Sequence, residues 1–401
     1  MNAAIAETSP TPGNTGVSAG MTFLFAVACG LIAANIYYAQ PLAGPIAEDI
    51  GLPHAAAGLI VTLTQIGYGL GLLFVVPLCD LVENRRMILI MIGLCVVALL
   101  GAAFSGAVVP FLLFSLLIGI ASATVQMIVP LAAGLASEQH RGRVVGNVMS
   151  GLMTGIMLAR PVSSLVASLS SWHGIFYLSA AAMIVLGIVM ARRLPQRQPQ
   201  ARLGYGALIG SMVEVVRTEP VLRRRALYQA FQFAAFSIFW TVTPLYLAGP
   251  AFGLTQTGIA LFALAGVAGA IASPIAGRLA DRGFSRPATF LGMGLVGSAF
   301  LVSHIFAEGS VLALAVLVAA GILLDFGTTT TLVLSQRAIY GLGAEKRSRI
   351  NAIFMATFFM AGAAGSALGA WAFASGGWFF ASTIGIAMPV IAILYALTER
   401  R

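Results

Sequence analysis

One feature constrains this chain more than any other. Apolar runs of about twenty residues recur along nearly its whole length, with few charges inside them. The hydrocarbon core of a bilayer is about 30 Å thick, and a helix needs roughly 20 apolar residues to cross it. In lipid, backbone N–H and C=O groups must be satisfied within the segment, so such runs read as helices. Twelve are placed, as spans 1 to 12, at about 21–43, 55–78, 87–105, 110–135, 144–168, 174–191, 225–249, 256–276, 288–306, 310–334, 350–375 and 377–397. Composition agrees: 59% of the 401 residues are apolar and 9% charged, and mean hydropathy is +0.96. An ordinary soluble domain is about half apolar and a quarter charged. A soluble enzyme, a disordered tail protein and a nucleic-acid binder are excluded. The net charge of +9 forms no single basic face, because the arginines sit between apolar runs.

The positions of those arginines test the span count. Arg85 and Arg86 follow span 2, and Arg141 and Arg143 follow span 4. Arg192, Arg193, Arg197, Arg202, Arg217 and Arg223 to Arg225 fall between spans 6 and 7. Arg278, Arg282 and Arg286 follow span 8; Arg337, Lys346, Arg347 and Arg349 follow span 10; Arg400 and Arg401 close the chain. Thus 21 of the 22 Lys and Arg residues gather on one face. By the positive-inside rule that face, with both termini, is cytoplasmic. The opposite loops carry Glu48, Asp49 and Glu308. A miscounted span would have scattered the charges. Residues 1–20, without Lys or Arg, read as a disordered tail with no cleavable signal. Cys29, Cys79 and Cys95 match neither a metal spacing nor a disulfide framework.

The longest loop, 192–224, separates a six-helix bundle at 21–191 from another at 225–401. Within it Leu208, Ile209, Met212, Val213 and Val216 share a helical face, which suits a short amphipathic helix on the inner leaflet. The halves read as repeats. Asp80, in Val76-Pro-Leu-Cys-Asp80-Leu-Val-Glu-Asn-Arg85-Arg86, stands 201 residues before Asp281, in Gly277-Arg-Leu-Ala-Asp281-Arg282-Gly-Phe-Ser-Arg286. Arg141-Gly-Arg143 and Arg347-Ser-Arg349 are offset by 206, as are Trp172 and Trp378. Tyr37-Tyr38-Ala-Gln40-Pro41 faces Trp240-Thr-Val-Thr243-Pro244 at an offset of 203.

With these motifs the chain resembles major facilitator superfamily transporters over everything after the tail. The loop at 277–286 matches that family's Gly-x-Leu-Ala-Asp-Arg-x-x-x-Arg signature; the copy after span 2 departs, with Val76 in place of the first glycine. Asn35-Ile-Tyr-Tyr-Ala-Gln-Pro-Leu42 and the character of span 5 resemble the arabinose-efflux and drug:proton antiporter branch. Two features differ from that branch: span 4 has Gln126 and no arginine, and span 5 has Ala159-Arg160-Pro161 where the antiporter motif has Gly-Pro. The resemblance implies an all-α membrane protein of two pseudo-symmetric six-helix bundles, which moves solute by alternating access. It also implies a cytoplasmic gate, formed by Asp80 with Arg85 or Arg86 and by Asp281 with Arg282 or Arg286. Spans 1, 4, 7 and 10 would line the central cavity. Its candidate lining is Asn35, Tyr37, Tyr38 and Gln40, then Gln126, then Gln229, Gln232, Trp240 and Thr243.

Two charges lie deep inside the apolar runs: Arg160 in span 5 and Asp325 in span 10. A charge at mid-bilayer costs at least about 2.5–3.5 kcal/mol, so it is kept for use or paired. At 1.5 Å per residue their depths differ by roughly 10 Å. A direct pair then needs tilted helices or a shifted register. Two separate sites, or one site with substrate between them, fit equally. Removing a carboxylate from water penalises its charged form, so Asp325 is a candidate proton carrier or cation site, with the hydroxyls of Thr328 to Thr331 nearby. Arg160 keeps its proton and is a candidate clamp for an anion or hydroxyl, or an electrostatic partner for Asp325.

The leading functional expectation is proton-coupled efflux of a small organic solute or drug. Uptake or facilitated diffusion of a small organic anion or sugar is the alternative. A polytopic enzyme fits poorly, since His54, His140, His173 and His304 lie near loops and no metal, nucleophile or phosphate-loop motif is present. No cofactor beyond protons as the coupling ion, no metal and no nucleic acid is expected. The expected partners are the substrate and the bilayer, and the expected state is a monomer. Twenty-one arginines to one lysine, compact loops and no Asn-x-Ser/Thr sequon suit a bacterial inner membrane.

Overall fold

A computed structural model describes residues 17–196, 204–343 and 346–399. Most of the tail, together with Arg197, Arg202, Arg400 and Arg401, lies outside the described residues. Every regular element among the described residues is helical.

The first span is not one rod. Helix α1 (Ala19–Ala34) is capped by the Ser18 hydroxyl, which accepts from the Met21 N–H. Residues 35–42 then wind as tight turns, with Ile36 bonded back to Ala33 and Gln40 to Tyr37, before α2 (Ala43–Ile50) resumes. Pro41 is the local cause. It has no N–H to donate and disfavours a helical Gln40. The second span combines α3 (Leu59–Leu70), a wider π turn at Gly71–Val75 and a tighter 3₁₀ turn at Val76–Asp80 that contains Pro77. Next come α4 (Asn84–Phe104), then α5 (Val108–Ser122) and α6 (Val125–Leu135) sharing one span, α7 (Arg141–Leu169) and α8 (Trp172–Arg193).

The chain continues with α9 (Tyr205–Thr218) and α10 (Pro220–Ala248), then α11 (Gln256–Ala263) and α12 (Gly269–Asp281), joined by a 3₁₀ turn at Leu264–Ala268. Helices α13 (Ser285–Val302), α14 (Val311–Tyr340) and α15 (Arg347–Leu397) complete it. A straight 51-residue helix would reach far beyond a bilayer at 1.5 Å per residue. The backbone of α15 breaks at Gly376 and at Gly377, whose φ of 63° suits glycine. Among the described residues nine helices are long and apolar enough to cross a membrane, α15 counted once. The two arms of α15, the shorter α1 and the 18-residue α13 are consistent with twelve spans. Apolar side chains such as Phe23, Phe104, Leu169, Val311 and Phe379 stand exposed. In water such a coat would aggregate; in lipid it is the solvated surface.

Several expected boundaries shift, and those at arginine-bearing ends shift towards longer helices. α10 starts at Pro220 rather than 225, α7 starts at Arg141 rather than 144, and α14 runs to Tyr340 rather than 334. Pro220 occupies the first helical turn, where its missing N–H costs nothing. The arginines taken for loop residues ride on helix ends, where their long stems reach polar groups. Arg224 donates to Tyr228, Thr398 and the Tyr395 carbonyl, and Arg225 pairs with Glu399 at 3.2 Å.

The helix foreseen in the long loop forms as α9. It packs Met212 and Val215 onto Leu222, Ile339, Ile350 and Phe354, while Val213 and Val216 stay exposed. Its apolar stripe is thus divided between protein and surroundings. Elsewhere α1 packs on α7, α3 on α5 and α4 on α8, while α10 packs on α15 and α13 on α14. The approach of α1 to α7 is tight enough that a Cβ at Gly155 would collide with the Gly30 backbone. Between the two sets, α3 lies along α15, and α7 meets α11 and the 264–268 turn.

Candidate functional site

The deep arginine is delivered by α7. Arg160 is 3% exposed. Its Nε donates to Gln40 Oε1 at 2.8 Å, across from the broken first span. The guanidinium carbon lies 4.5 Å from the centroid of the Trp240 ring and 5.1 Å from those of Tyr37 and Phe236. Three aromatic faces therefore stabilise the cation through their quadrupoles. They do not satisfy its N–H groups, and Nη2 is buried without a hydrogen-bond partner.

The deep carboxylate is delivered by α14. Asp325 is 7% exposed, and its Oδ2 accepts from the Trp240 indole at 2.9 Å. A buried indole N–H needs an acceptor, and here that acceptor is the ionisable group. Among the described residues no ion pair within 4.0 Å joins Arg160 to Asp325. Trp240 links them, its ring on the guanidinium and its nitrogen on the carboxylate. Both charges thus belong to one cluster without direct contact, in keeping with the depth difference read from the sequence.

Around this centre the polar residues knit the two sets of helices together. Gln40 Nε2 donates to Thr241 Oγ1 at 3.5 Å, and Thr241 is bonded to Ser366 at 3.0 Å. Gln65 donates to Ser237 at 3.3 Å, and Thr62 to the Ala363 carbonyl at 2.9 Å. Gln229 donates to the Thr328 carbonyl at 3.5 Å. Gln232 is wholly buried with both amide atoms unpartnered, and the Thr328 hydroxyl is likewise unpartnered.

Of the residues singled out in the sequence, Tyr37, Gln40, Trp240, Arg160 and Asp325 converge. Others do not join them. Asn35 accepts from Ser179 on α8 at 2.5 Å and donates to Cys95 on α4 at 3.7 Å, so its bonds hold helices of one half together. The Thr243 hydroxyl is spent on the Phe239 carbonyl of its own helix, and Tyr38 is buried without joining the Arg160 contacts. Gln126 belongs to a network nearer the arginine-bearing end. It donates to Tyr68 at 3.3 Å and accepts from Asn351 at 3.2 Å, and Asn351 in turn accepts from Tyr340 at 2.8 Å. The sequence reading missed Phe236, Thr241, Ser366, Tyr68, Asn351 and Tyr340. Phe236 was legible in principle, four residues before Trp240 and so on the same helical face.

The carboxylates of the arginine-bearing end are arranged differently from expectation. Asp281 pairs with Arg337 at 2.5 Å, not with Arg282 or Arg286. α14 extends far enough to present Arg337, whereas Arg286 reaches the Glu399 carbonyl at 3.4 Å. Arg282 is exposed. Arg85 donates to the Ala191 carbonyl, and Glu83 caps α4 by accepting from the Arg85 and Arg86 N–H groups. Asp80 lines a cavity of about 220 Å³ together with Asn84, Gln126, Met212 and Arg349, the last from the far half of the chain. A larger cavity of about 570 Å³ lies between the starts of α1 and α7, lined by Thr22, Phe23, Arg143, Asn147 and Ser150. It contains none of the converging residues.

Comparison with known proteins places this arrangement. A family model described as Major Facilitator Superfamily matches residues 22–340 and again 226–401. The chain belongs to the major facilitator superfamily. It is 38% identical over 368 residues to an uncharacterized transporter, YgaY, of Escherichia coli O157:H7, covering 92% of each chain. It is 33% identical over 266 residues to the probable transporter SCO4007 of Streptomyces coelicolor, covering 65% of this chain and 60% of that one. Among solved structures, a point mutant of the nucleoside transporter NupG superposes with a TM-score of 0.72 at 13% identity, covering 94% of this chain and 98% of that one. At that identity the likeness speaks for the fold alone. The protein is a multi-pass membrane transporter and not an enzyme.

Proposed function

We propose that this superfamily member moves a small organic solute by proton-coupled alternating access, with Asp325 as the proton carrier. The observation that carries the reading is the contact chain Asp325–Trp240–Arg160. A buried carboxylate bonded to an indole that also covers a buried cation lets a change of charge at one end alter the fit at the other. Residues 21–191 and 225–401 are the two moving bodies, joined by 192–224, with the arginine-bearing face and both termini in the cytoplasm of a bacterial cell. The working unit is a monomer. The Gln126–Asn351 bond and the shared Asp80–Arg349 cavity close the cytoplasmic side, and Thr62 against Ala363 closes the other.

The motif resemblance supports export of the solute in exchange for protons. One observation favours a second reading, in which proton and solute travel together: Arg160 keeps a buried N–H without a partner, which suits an anionic solute. Proton movement in everted vesicles separates the two. Cationic drugs, sugars and small organic acids are added to energised, acid-inside vesicles bearing the wild-type chain or Asp325→Asn. Exchange alkalinises the lumen on addition of the solute; co-transport into the lumen acidifies it. Both signals should vanish in Asp325→Asn. A transported solute that moves the same number of protons with and without the Asp325 carboxyl would refute the proton-carrier role.

A further inference from the structure

We infer that the solute bound at Arg160 carries a carboxylate, and that carboxylate and proton occupy the site together. This rests on the proton-coupled reading above and names its substrate class.

The unmet need is on the arginine. Arg160 stays charged at any relevant pH. It is 3% exposed, and no carboxylate among the described residues lies within ion-pair distance of it. Burying a charge unpaired is expensive, and a buried donor left unmade costs more than an ordinary hydrogen bond returns. The aromatic faces of Tyr37, Phe236 and Trp240 ease the charge. Within the plane, Gln40 takes Nε–H and nothing takes the N–H groups of Nη2. With Nε–H taken, the end-on fork of Nη1 and Nη2 remains, a geometry that a carboxylate fills with two parallel bonds. Gly266 lets the 264–268 turn pack against this group, since an added Cβ would stand 3.2 Å from the Trp240 ring and 3.4 Å from Arg160 Nη1. The surrounding rings suit an apolar or aromatic body behind the carboxylate.

Charge balance then ties the proton to the anion. Among the described residues, the charged and titratable groups facing Asp325 and Arg160 are each other and Tyr37. α10 contributes Trp240, which does not titrate, and the 264–268 turn contributes Gly266. The charges of α10, α12 and α13, namely Arg223 to Arg225, Arg278, Asp281 and Arg286, belong to the arginine-bearing ends of those helices. With Asp325 ionised the cluster sums to zero. With Asp325 protonated it carries one positive charge, which a carboxylate neutralises and a cationic solute would double. Linkage is reciprocal, so each of proton and carboxylate favours binding of the other. That sign belongs to co-transport.

Calorimetry on the purified full-length protein in detergent tests this, using two matched sets: benzoate, benzamide and benzylamine, and butyrate, butyramide and butylamine. Titration in two buffers of different ionisation enthalpy gives both affinity and protons exchanged. The carboxylate of at least one set should bind about tenfold or more tighter than its amide and amine, with proton uptake that Asp325→Asn abolishes. Arg160→Gln should erase the preference and Arg160→Lys keep part of it. Should Arg160→Gln fail to fold, the wild-type comparison decides alone. Amide or amine binding as tightly as the carboxylate, or no carboxylate binding at millimolar concentration, overturns the anion site. If another solute still drives protons in the vesicles, the transport reading survives that result. Carboxylate preference without proton uptake overturns the shared occupancy and removes Asp325 as carrier.

Discussion

Arg160 cannot shed its proton, so the fold must hold a permanent charge where lipid would reject it. It does so with three aromatic faces and one amide, and leaves the carboxylate of Asp325 to an indole. Trp240 therefore has two separable jobs. Trp240→Phe keeps a ring over the guanidinium and deletes the donor to Asp325. It should cost about 1–3 kcal/mol of stability, the penalty for a buried acceptor losing its partner, and should weaken proton coupling more than solute affinity. Thermal unfolding in detergent, together with transport measured with and without a proton gradient, checks both halves. Equal losses of affinity and coupling would show that the indole N–H has no separate role. Both deep charges were legible in the sequence, because a charge in an apolar run stands out. Trp240 as the link was not legible, since nothing local says that α7, α10 and α14 meet there.

Among the elements, breaks matter more than rods. Pro41 interrupts the first span, and the turns at 35–42 around it bring Tyr37 and Gln40 to Arg160. The Tyr37–Pro41 motif was visible in the sequence, but the span was expected to run unbroken to 43. The break near 376 in α15 matched expectation, because 51 helical residues exceed a bilayer and a glycine pair marks the point. Gly377 holds φ at 63° and ψ at −162°, a region open essentially to glycine that costs an L-residue about 1–3 kcal/mol. Gly377→Ala should lower stability by about that amount and leave solute affinity unchanged, with thermal melts and binding run side by side. A variant as stable as wild type would mean that the loop relaxes freely. Helix ends were read too short wherever arginines ride on them, because hydropathy falls before the helix does. The partner of Asp281 was misread for the same reason: Arg337 lies on a turn of α14 that seemed to be loop.

At the scale of the whole molecule, the two sets of helices touch on both sides of the buried centre, through Gln126 and Asn351 at one side and Thr62 and Ala363 at the other. Alternating access requires each side to part in turn. A disulfide between Gln126→Cys and Asn351→Cys, in a Cys79→Ser background, should stop turnover on oxidation and restore it on reduction. Full transport by the oxidised pair would mean that this contact is not part of the gate. The apolar runs and the motif resemblance made the all-helical superfamily fold legible, since apolar length is written residue by residue. The proposed coupling is not written that way, because it depends on which groups share a proton. The most direct test of it uses proteoliposomes and any solute that the wild-type protein accumulates against its gradient when a proton gradient is imposed. Asp325→Asn should still exchange labelled for unlabelled solute across the membrane and should fail to accumulate it. Accumulation by Asp325→Asn at the wild-type level would contradict the assignment of Asp325 as the proton carrier.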